Sequence, residues 1–465
     1  MARRDVPCVG ARCAATLCRS AMSPCPMAGG LSPGHGLKRR AARGVRLPRA
    51  KCRWMRKGEL ESRVLILVTL ALVAFGIVMV YSATSASAAV GGSNPNYYLE
   101  RQGIYASLGI ALMVIAQRWD YRRLKKLSGP LVLISLALLV AVLVIGPVIN
   151  GARRWISLGP AAFQPSELAK LTLCIWAAAY LARHKAPRTL NDLVRPIGAL
   201  AGLFAMLLLV EPDMGTAIAM LLMLSGVLLV AGTPIRVLGG AMAIAGALGT
   251  AAIWFEPYRR ARFFAFLHPW DDAQGAGFQI VQAMIGMGSG GFFGVGLGQG
   301  VQKIFYLPEA PTDMMLANIG EELGLFGVTM VVAAYIVFGW AGFKVALACR
   351  DPFGKYLASG VTVLVCGQAA INIAAVLSIA PLTGIPLPFL SYGGSSLVVL
   401  LAAVGILLNI AHRGTVTQTA SVPDRSRGNG RTRPARPSDR RRVASARSER
   451  DVRRVAGSRR GSPRT

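Results

Sequence analysis

Acidic side chains are scarce in this sequence: 21 Asp and Glu stand against 52 Lys and Arg, and charged residues of both signs fill only 16% of 465 positions. A soluble enzyme needs a far more charged surface, so that class is excluded. Period-two alternation of apolar and polar residues is also missing, which excludes an outer-membrane barrel. Cysteine provides no framework. Cys8, Cys13, Cys18, Cys25 and Cys52 precede the first long apolar run, with no CxxC pair and no His at metal-site spacing. Cys174, Cys349 and Cys366 fall within apolar runs, where a free thiol behaves as a small hydrophobe. The N-terminal stretch lacks the apolar core and cleavage site of a secretory signal. Met55, directly before Arg56, Lys57 and the first span, reads as an alternative translation start.

What is present is apolar: 53% of residues are hydrophobic and the mean hydropathy is +0.48, the composition of an integral membrane protein. Apolar runs long enough to cross a bilayer, with flanking residues where needed, fall at 64–82, 104–117, 130–149, 167–182, 196–210, 215–231, 235–255, 314–342, 356–378 and 394–411. The expected fold is therefore all-α, with about ten transmembrane helices. The net charge of +31 sits mostly in two arms, +13 in residues 1–58 and +12 in residues 412–465. These arms are too polar to fold by themselves, and basic tails beside a membrane attract anionic lipid rather than nucleic acid. Three parts follow: a basic N-terminal arm (1–58), a ten-helix membrane domain (59–412) and an Arg-rich tail (413–465).

The short loops 118–126, 183–195 and 344–355 are basic, which places them and both termini in the cytoplasm. The loops facing outward then hold GARRWISLGPAAFQPSE (151–167), EPDMGT (211–216), one large extracytoplasmic segment (256–313) and APLTGIPLPFLSYGGSS (380–396). Arg153, Arg154, Arg259, Arg260, Arg262 and Lys303 are cations on the face where the loop rule disfavours them, so that face has a use for positive charge.

The stretch Gln302–Gly327 gathers Glu309, Asp313, Glu321 and Glu322 in front of a long apolar run. Carboxylates at the mouth of a membrane helix are costly to desolvate and mark function. Thr312 after Pro311 reads as a helix N-cap, with Asp313 among the first helical residues. The helix dipole then favours ionised Asp313 while partial burial opposes it, a setting suited to a proton acceptor. The segment 256–313 is too long for an idle connection, and its opening, YRRARFFAFLHPW, reads as an amphipathic element at the bilayer surface. GMGSGGFFGVGLGQG (286–300) has GxGxxG spacing without the βαβ context of a dinucleotide site, so its glycines serve tight turns or close backbone approach. Glu211 and Asp213 flank Pro212 between two spans, either as a plain turn or as partners of the outward arginines. Glu167 and Lys170 stand i, i+3 at a helix start, the spacing of a simple helix pair. Pro381, Pro386 and Pro388 interrupt the chain before SYGGSS, and non-helical backbone at that depth must be buried in protein or line a cavity.

In order, GARRWISLGPAAFQPSELAK, EPDMGT, FLHPWDDAQGAGFQ, GSGGFFGVGLGQG, YLPEAPTDMMLANIGEELG and PLPFLSYGGSS closely resemble the motifs of the SEDS family (shape, elongation, division and sporulation), over residues 60–412. The LPEAPTDMMLANIGEELG stretch is closer to the division type than to the elongation type. The resemblance implies a ten-helix peptidoglycan glycosyltransferase in the cytoplasmic membrane, at the division septum. It would join lipid II into glycan strands with inversion and work with a class B penicillin-binding protein and other divisome proteins. The family's essential aspartate falls on Asp313. Substrate-binding candidates are Arg153, Arg154, Glu167, Lys170, Asp213, Arg259, Arg262, Gln279, Lys303, Glu309, Glu321 and Ser391. Phe305 and Thr383 depart from residues that some members carry there, so no role is assigned to either. No cofactor is fixed, and a divalent cation, Mg or Mn, is left open as a sharer of the diphosphate's charge. A lipid II flippase and a non-catalytic divisome scaffold are the rival readings. A flippase predicts functional polar residues through the membrane midplane, whereas this sequence concentrates them on one face.

The loop charges generate a topology prediction. Cysteines introduced at Ala162 and Gln299 are expected to react with an impermeant thiol reagent on intact cells, and one at Lys125 is not. Labelling at Lys125 alone would reverse the orientation.

Overall fold

The structure is a computed structural model that describes residues 59–90, 96–149, 151–159, 161–303 and 311–416. The N-terminal arm, Phe305, Glu309 and most of the Arg-rich tail lie outside the described residues.

Helices account for nearly all of it, as the apolar runs require. They are α1 (Glu59–Val90), α2 (Tyr97–Arg118), α3 (Leu124–Ile145), α4 (Pro165–Leu181), the short α5 (Leu190–Leu193), α6 (Ala199–Val210), α7 (Met214–Ala231), α8 (Ile235–Phe255), α9 (Pro257–Leu267), α10 (Phe278–Ser289), α11 (Met315–Ala348), α12 (Pro352–Val376) and α13 (Gly394–Val416). A π-helical turn at Val194–Gly198 joins α5 to α6, so Leu190–Val210 acts as one span. Among the described residues, nine helices are long and apolar enough to cross a membrane. The tenth expected span is α4, which has 17 residues. It is short because Gln164–Pro165 starts it directly after an antiparallel hairpin, β1 (Ile156–Leu158) with β2 (Ala161–Phe163), which occupies the loop before it.

Burial ranks the helices. The most apolar window of α13 is 83% buried within the protein and that of α8 only 6%, which makes α13 the axis of the bundle and α8 a helix on its rim. The main packed pairs are α2 with α13, α11 with α12 and α1, α7 with α12, and α3 with α4. Glycines permit the closest approaches, as expected where lipid gives no hydrophobic drive between helices. Gly405 on α13 lies against the Met113 backbone of α2, and Gly360 on α12 lies against Cys174 of α4. Cys174, Cys349 and Cys366 are free thiols, and the first two are buried.

The long segment after α8 begins with the amphipathic α9, continues through α10, and ends in a glycine-rich loop that folds onto α11. Gly324 has φ +65°, which breaks α11 and frees backbone groups inside the bundle. Gly291, Gly294, Gly296 and Gly298 also have positive φ, a conformation glycine adopts at no steric cost. The loop they shape pairs with the break: Val295 and Gly296 N–H donate to the carbonyls of Glu321 and Glu322, while Leu325 and Phe326 N–H donate to those of Gly291 and Phe292. The GxGxxG spacing therefore serves a break in a membrane helix.

The α2–α13 contact yields a prediction. Gly405→Leu forces a side chain into the Met113 backbone and is expected to destabilise the protein by roughly 1–3 kcal/mol. Gly239→Leu, on the rim helix α8 with open space at its Cβ, is expected to be neutral. Thermal unfolding of both variants in the same detergent checks the contrast.

Candidate functional site

A cavity of about 740 Å³ opens where the ends of α6, α7 and α8 meet the 149–164 loop, the segment before α11 and the loop before α13. Of the candidates, Arg154, Glu167, Asp213, Arg259, Arg262 and Asp313 line it. Four of the six motifs, together with Glu256, Arg259 and Arg262, thus converge on one space.

The cationic side is built on a helix end. The last carbonyls of a helix lack intrahelical donors and carry the negative end of the macrodipole. Arg154 Nε donates to the Glu211 carbonyl at 3.1 Å and its Nη2 donates to the Pro212 carbonyl. Arg259 Nη2 donates to the Leu209 carbonyl at 2.7 Å. Both guanidinium groups are therefore oriented by backbone at the C-terminus of α6, with their charge left for a ligand. Arg153, one residue away on extended chain, turns elsewhere: its Nη1 donates to the Leu143 carbonyl at 3.0 Å at the end of α3, outside the cavity.

The acidic groups are held differently. Asp213 does not pair with an arginine as the sequence allowed; it caps α7, accepting from Thr216 N–H at 3.2 Å and from Gln164 and Ser166 side chains at 3.3 Å. Glu167 and Lys170 form the expected i, i+3 pair at 2.8 Å, but inside the protein, with side chains 2% and 1% exposed. Removing one partner of such a pair costs about 3–5 kcal/mol because the other charge stays buried.

Asp313 departs from its expected place. Helix α11 starts at Met315 with Met314 as its uncapped N-cap, so Asp313 lies two residues ahead in a turn and Thr312 does not cap the helix. Tertiary ties explain the difference. Tyr392 N–H donates to the Pro311 carbonyl at 2.8 Å, Asn372 Nδ2 donates to the Asp313 carbonyl at 2.7 Å, and Thr312 Oγ1 donates to Asp313 Oδ1 at 3.4 Å. The half-buried carboxylate reaches the cavity from this held turn.

Four further candidates sit outside the lining. Lys303 is 4% exposed; its Nζ donates to Glu322 Oε1 at 2.7 Å and to Ser82 Oγ of α1 at 3.2 Å. Glu321 accepts from Val301 and Gln302 N–H at 2.7 and 3.3 Å. Both residues fasten the glycine-rich loop to α11, and the Lys303 ammonium is engaged there by Glu322 and Ser82. Ser391 Oγ accepts from Leu387 N–H at 2.9 Å and shapes the turn beneath Tyr392. Gln279 lies near the start of α10, outside the cavity lining. Sequence reasoning passed over Gln164, Glu256 and Tyr392, which do line it. Glu256 stood just before Pro257 in a stretch read for its cations. Among the described residues no group of three or more His, Cys, Asp or Glu side chains is arranged to hold a metal ion.

The cell cycle protein family that groups FtsW, RodA and SpoVE matches residues 62–415. The probable peptidoglycan glycosyltransferase FtsW of Geobacter metallireducens is 42% identical over 353 residues, 75% of this chain and 94% of its own. Stage V sporulation protein E of Bacillus subtilis is 38% identical over 353 residues, 75% of this chain and 96% of its own. Among solved structures, a chain of a peptidoglycan synthase complex described as coordinating polymerization and crosslinking is 32% identical, with TM-score 0.63, over 75% of this chain and 97% of that one. The rod shape determining protein RodA of Thermus thermophilus is 30% identical, with TM-score 0.55, over 75% and 96%.

Glu211, at the turn between α6 and α7, is fully buried, and neither carboxylate oxygen has a hydrogen bond. Desolvation, helped by Asp213, pushes its carboxyl up to about 8 from 4.5, with Arg154 pulling weakly the other way. Between those values the folded protein binds a proton that the unfolded chain has released, so stability falls as pH rises through this window. The thermal midpoint is expected to drop from pH 5 to pH 8, and Glu211→Gln is expected to flatten that part of the profile.

Proposed function

This chain belongs to the cell cycle protein family of FtsW, RodA and SpoVE, the SEDS family, and from that premise we propose how it joins lipid II into glycan strands. It is a multi-pass membrane protein and a peptidoglycan glycosyltransferase of the division type. The observation that carries the mechanism is that Asp313 and three arginines, Arg154, Arg259 and Arg262, line one cavity.

A sugar hydroxyl of one lipid-linked molecule attacks the anomeric carbon of another. A new glycosidic C–O bond forms, the bond from that carbon to the diphosphate oxygen breaks, and polyprenyl diphosphate leaves with the bonding electrons. Asp313 takes the hydroxyl proton as general base, a contribution of roughly 10²–10⁴-fold. Arg154 and Arg259, already oriented by the α6 carbonyls, meet the developing negative charge of the diphosphate together with Arg262. Groups fixed before the reaction stabilise that charge with little reorganisation. Glu167, paired with the buried Lys170, adds to the cavity lining. The basic short loops put the cavity on the outward side by the charge rule, which supports polymerisation where lipid II is exposed after translocation. The solved relative belongs to a synthase complex that couples polymerization to crosslinking. By the same logic this chain works beside a class B penicillin-binding transpeptidase at the septum, with other divisome proteins.

Asp313→Asn preserves size and polarity but removes the base. The purified variant is expected to fold, bind lipid II and co-purify with its transpeptidase, while polymerisation of labelled lipid II, sized on a gel, drops by at least ~10²-fold. Wild-type polymerisation by a stable Asp313→Asn protein would end the base assignment.

A further inference from the structure

Asn372 lies on α12, 2% exposed, and is not among the residues that line the cavity. Its single amide nitrogen makes two contacts: Nδ2 donates to the Asp313 carbonyl at 2.7 Å and to the Ile385 carbonyl at 2.8 Å. Both of its N–H bonds are thereby used, one for each of two segments that wall the cavity. Thr312 and Asp313 come from one segment, Gly384 and Pro386 from the other. The amide's other atom, Oδ1, is buried without a hydrogen bond.

That imbalance argues about purpose. A buried acceptor left without a donor carries a desolvation penalty, which the amide accepts in order to supply both carbonyls with a donor. A polar residue kept within a membrane bundle at such a disadvantage marks function rather than stability. Asp313 adds the second half of the argument, because no helical hydrogen-bond ladder holds its backbone: α11 begins only at Met315. The turn 311–314 is fixed from outside, at Pro311 by Tyr392 N–H and at Asp313 by Asn372.

We propose that Asn372 is a positioning residue for glycan polymerisation: its amide clamps the Asp313 backbone to the loop at Ile385 and so sets where the carboxylate stands in the cavity. The proposal rests on the reading of Asp313 as the base. Asn372 touches no reacting atom, so its effect falls on geometry at the transition state. A displacement of roughly 1 Å there costs about 10²-fold in rate, with substrate binding kept.

The test uses the full chain purified with its transpeptidase and given labelled lipid II. Asn372→Leu removes the donors and the stranded acceptor together. The expected result is a folded protein of lowered thermal midpoint, since two carbonyls lose their donor, with kcat lowered about 10–100-fold and KM near wild type, the split that marks an interaction needed in the transition state. Asn372→Asp is the companion. Its carboxyl regains one O–H donor when protonated, so the ratio of its kcat to that of Asn372→Leu is expected to rise as pH falls. A merely structural role would leave that ratio flat. Should the leucine variant not fold, the aspartate variant decides by its pH trend against wild type. Wild-type kcat in folded Asn372→Leu beside an inactive Asp313→Asn would remove the clamp alone, whereas an active Asp313→Asn would remove the base and the clamp with it.

Discussion

Inside a bilayer no water satisfies a backbone group, and every departure from helix in this bundle has to be repaired by protein. The break in α11 at Gly324 is the main instance. The carbonyls of Glu321 and Glu322 and the N–H groups of Leu325 and Phe326 all find partners in the glycine-rich loop. The two carboxylates beside the break then grip the same loop through Val301, Gln302, Gly298 and Lys303. With that repair in place α11 starts at Met315, and Asp313 lies in the turn just ahead of it. The non-helical stretch before α13 follows the same rule, tied down by Asn372, Ser391 and Tyr392.

The cavity's electrostatics come from the same accounting. Helix ends offer unsatisfied carbonyls, and Arg154 and Arg259 supply donors to those of α6. Backbone carbonyls fix a guanidinium in place without cancelling its charge, as a carboxylate would. The result is a pair of rigid cations, with Asp213 engaged by α7 and its neighbours and one oxygen of Glu167 engaged by Lys170.

Most of the architecture was legible in the sequence because apolar runs and basic loops are strong, local signals. All ten expected runs lie on helices, including the 17-residue α4 whose length alone falls short of a span. The order of outward motifs led to the residues that meet in the cavity. What the sequence could not resolve was direction. Arg153 and Arg154 are neighbours of the same type, yet one caps α3 and the other caps α6 and enters the cavity. Lys303 looked like one more outward cation until Glu322 and Ser82, from α11 and α1, were found around it. Thr312–Asp313 has good capping chemistry, but ties from Asn372 and Tyr392 hold it short of the helix. Each of these outcomes depends on a contact distant in sequence, and local propensity carries no information about such contacts.

The glycine-rich loop also bears on how the protein is assembled during synthesis. It precedes α11 in the chain, and its side-chain ties to that helix span only 19 to 24 residues. Closing so short a loop costs little entropy, so partners for the broken helix are already at hand when α11 leaves the ribosome and enters the bilayer. Ser82 on α1 lies 240 residues from Glu322 and has been waiting in the membrane since the first span was inserted. The order of the chain thus spares the cell from holding a helix with two bare carboxylates in lipid while its partners are still being made.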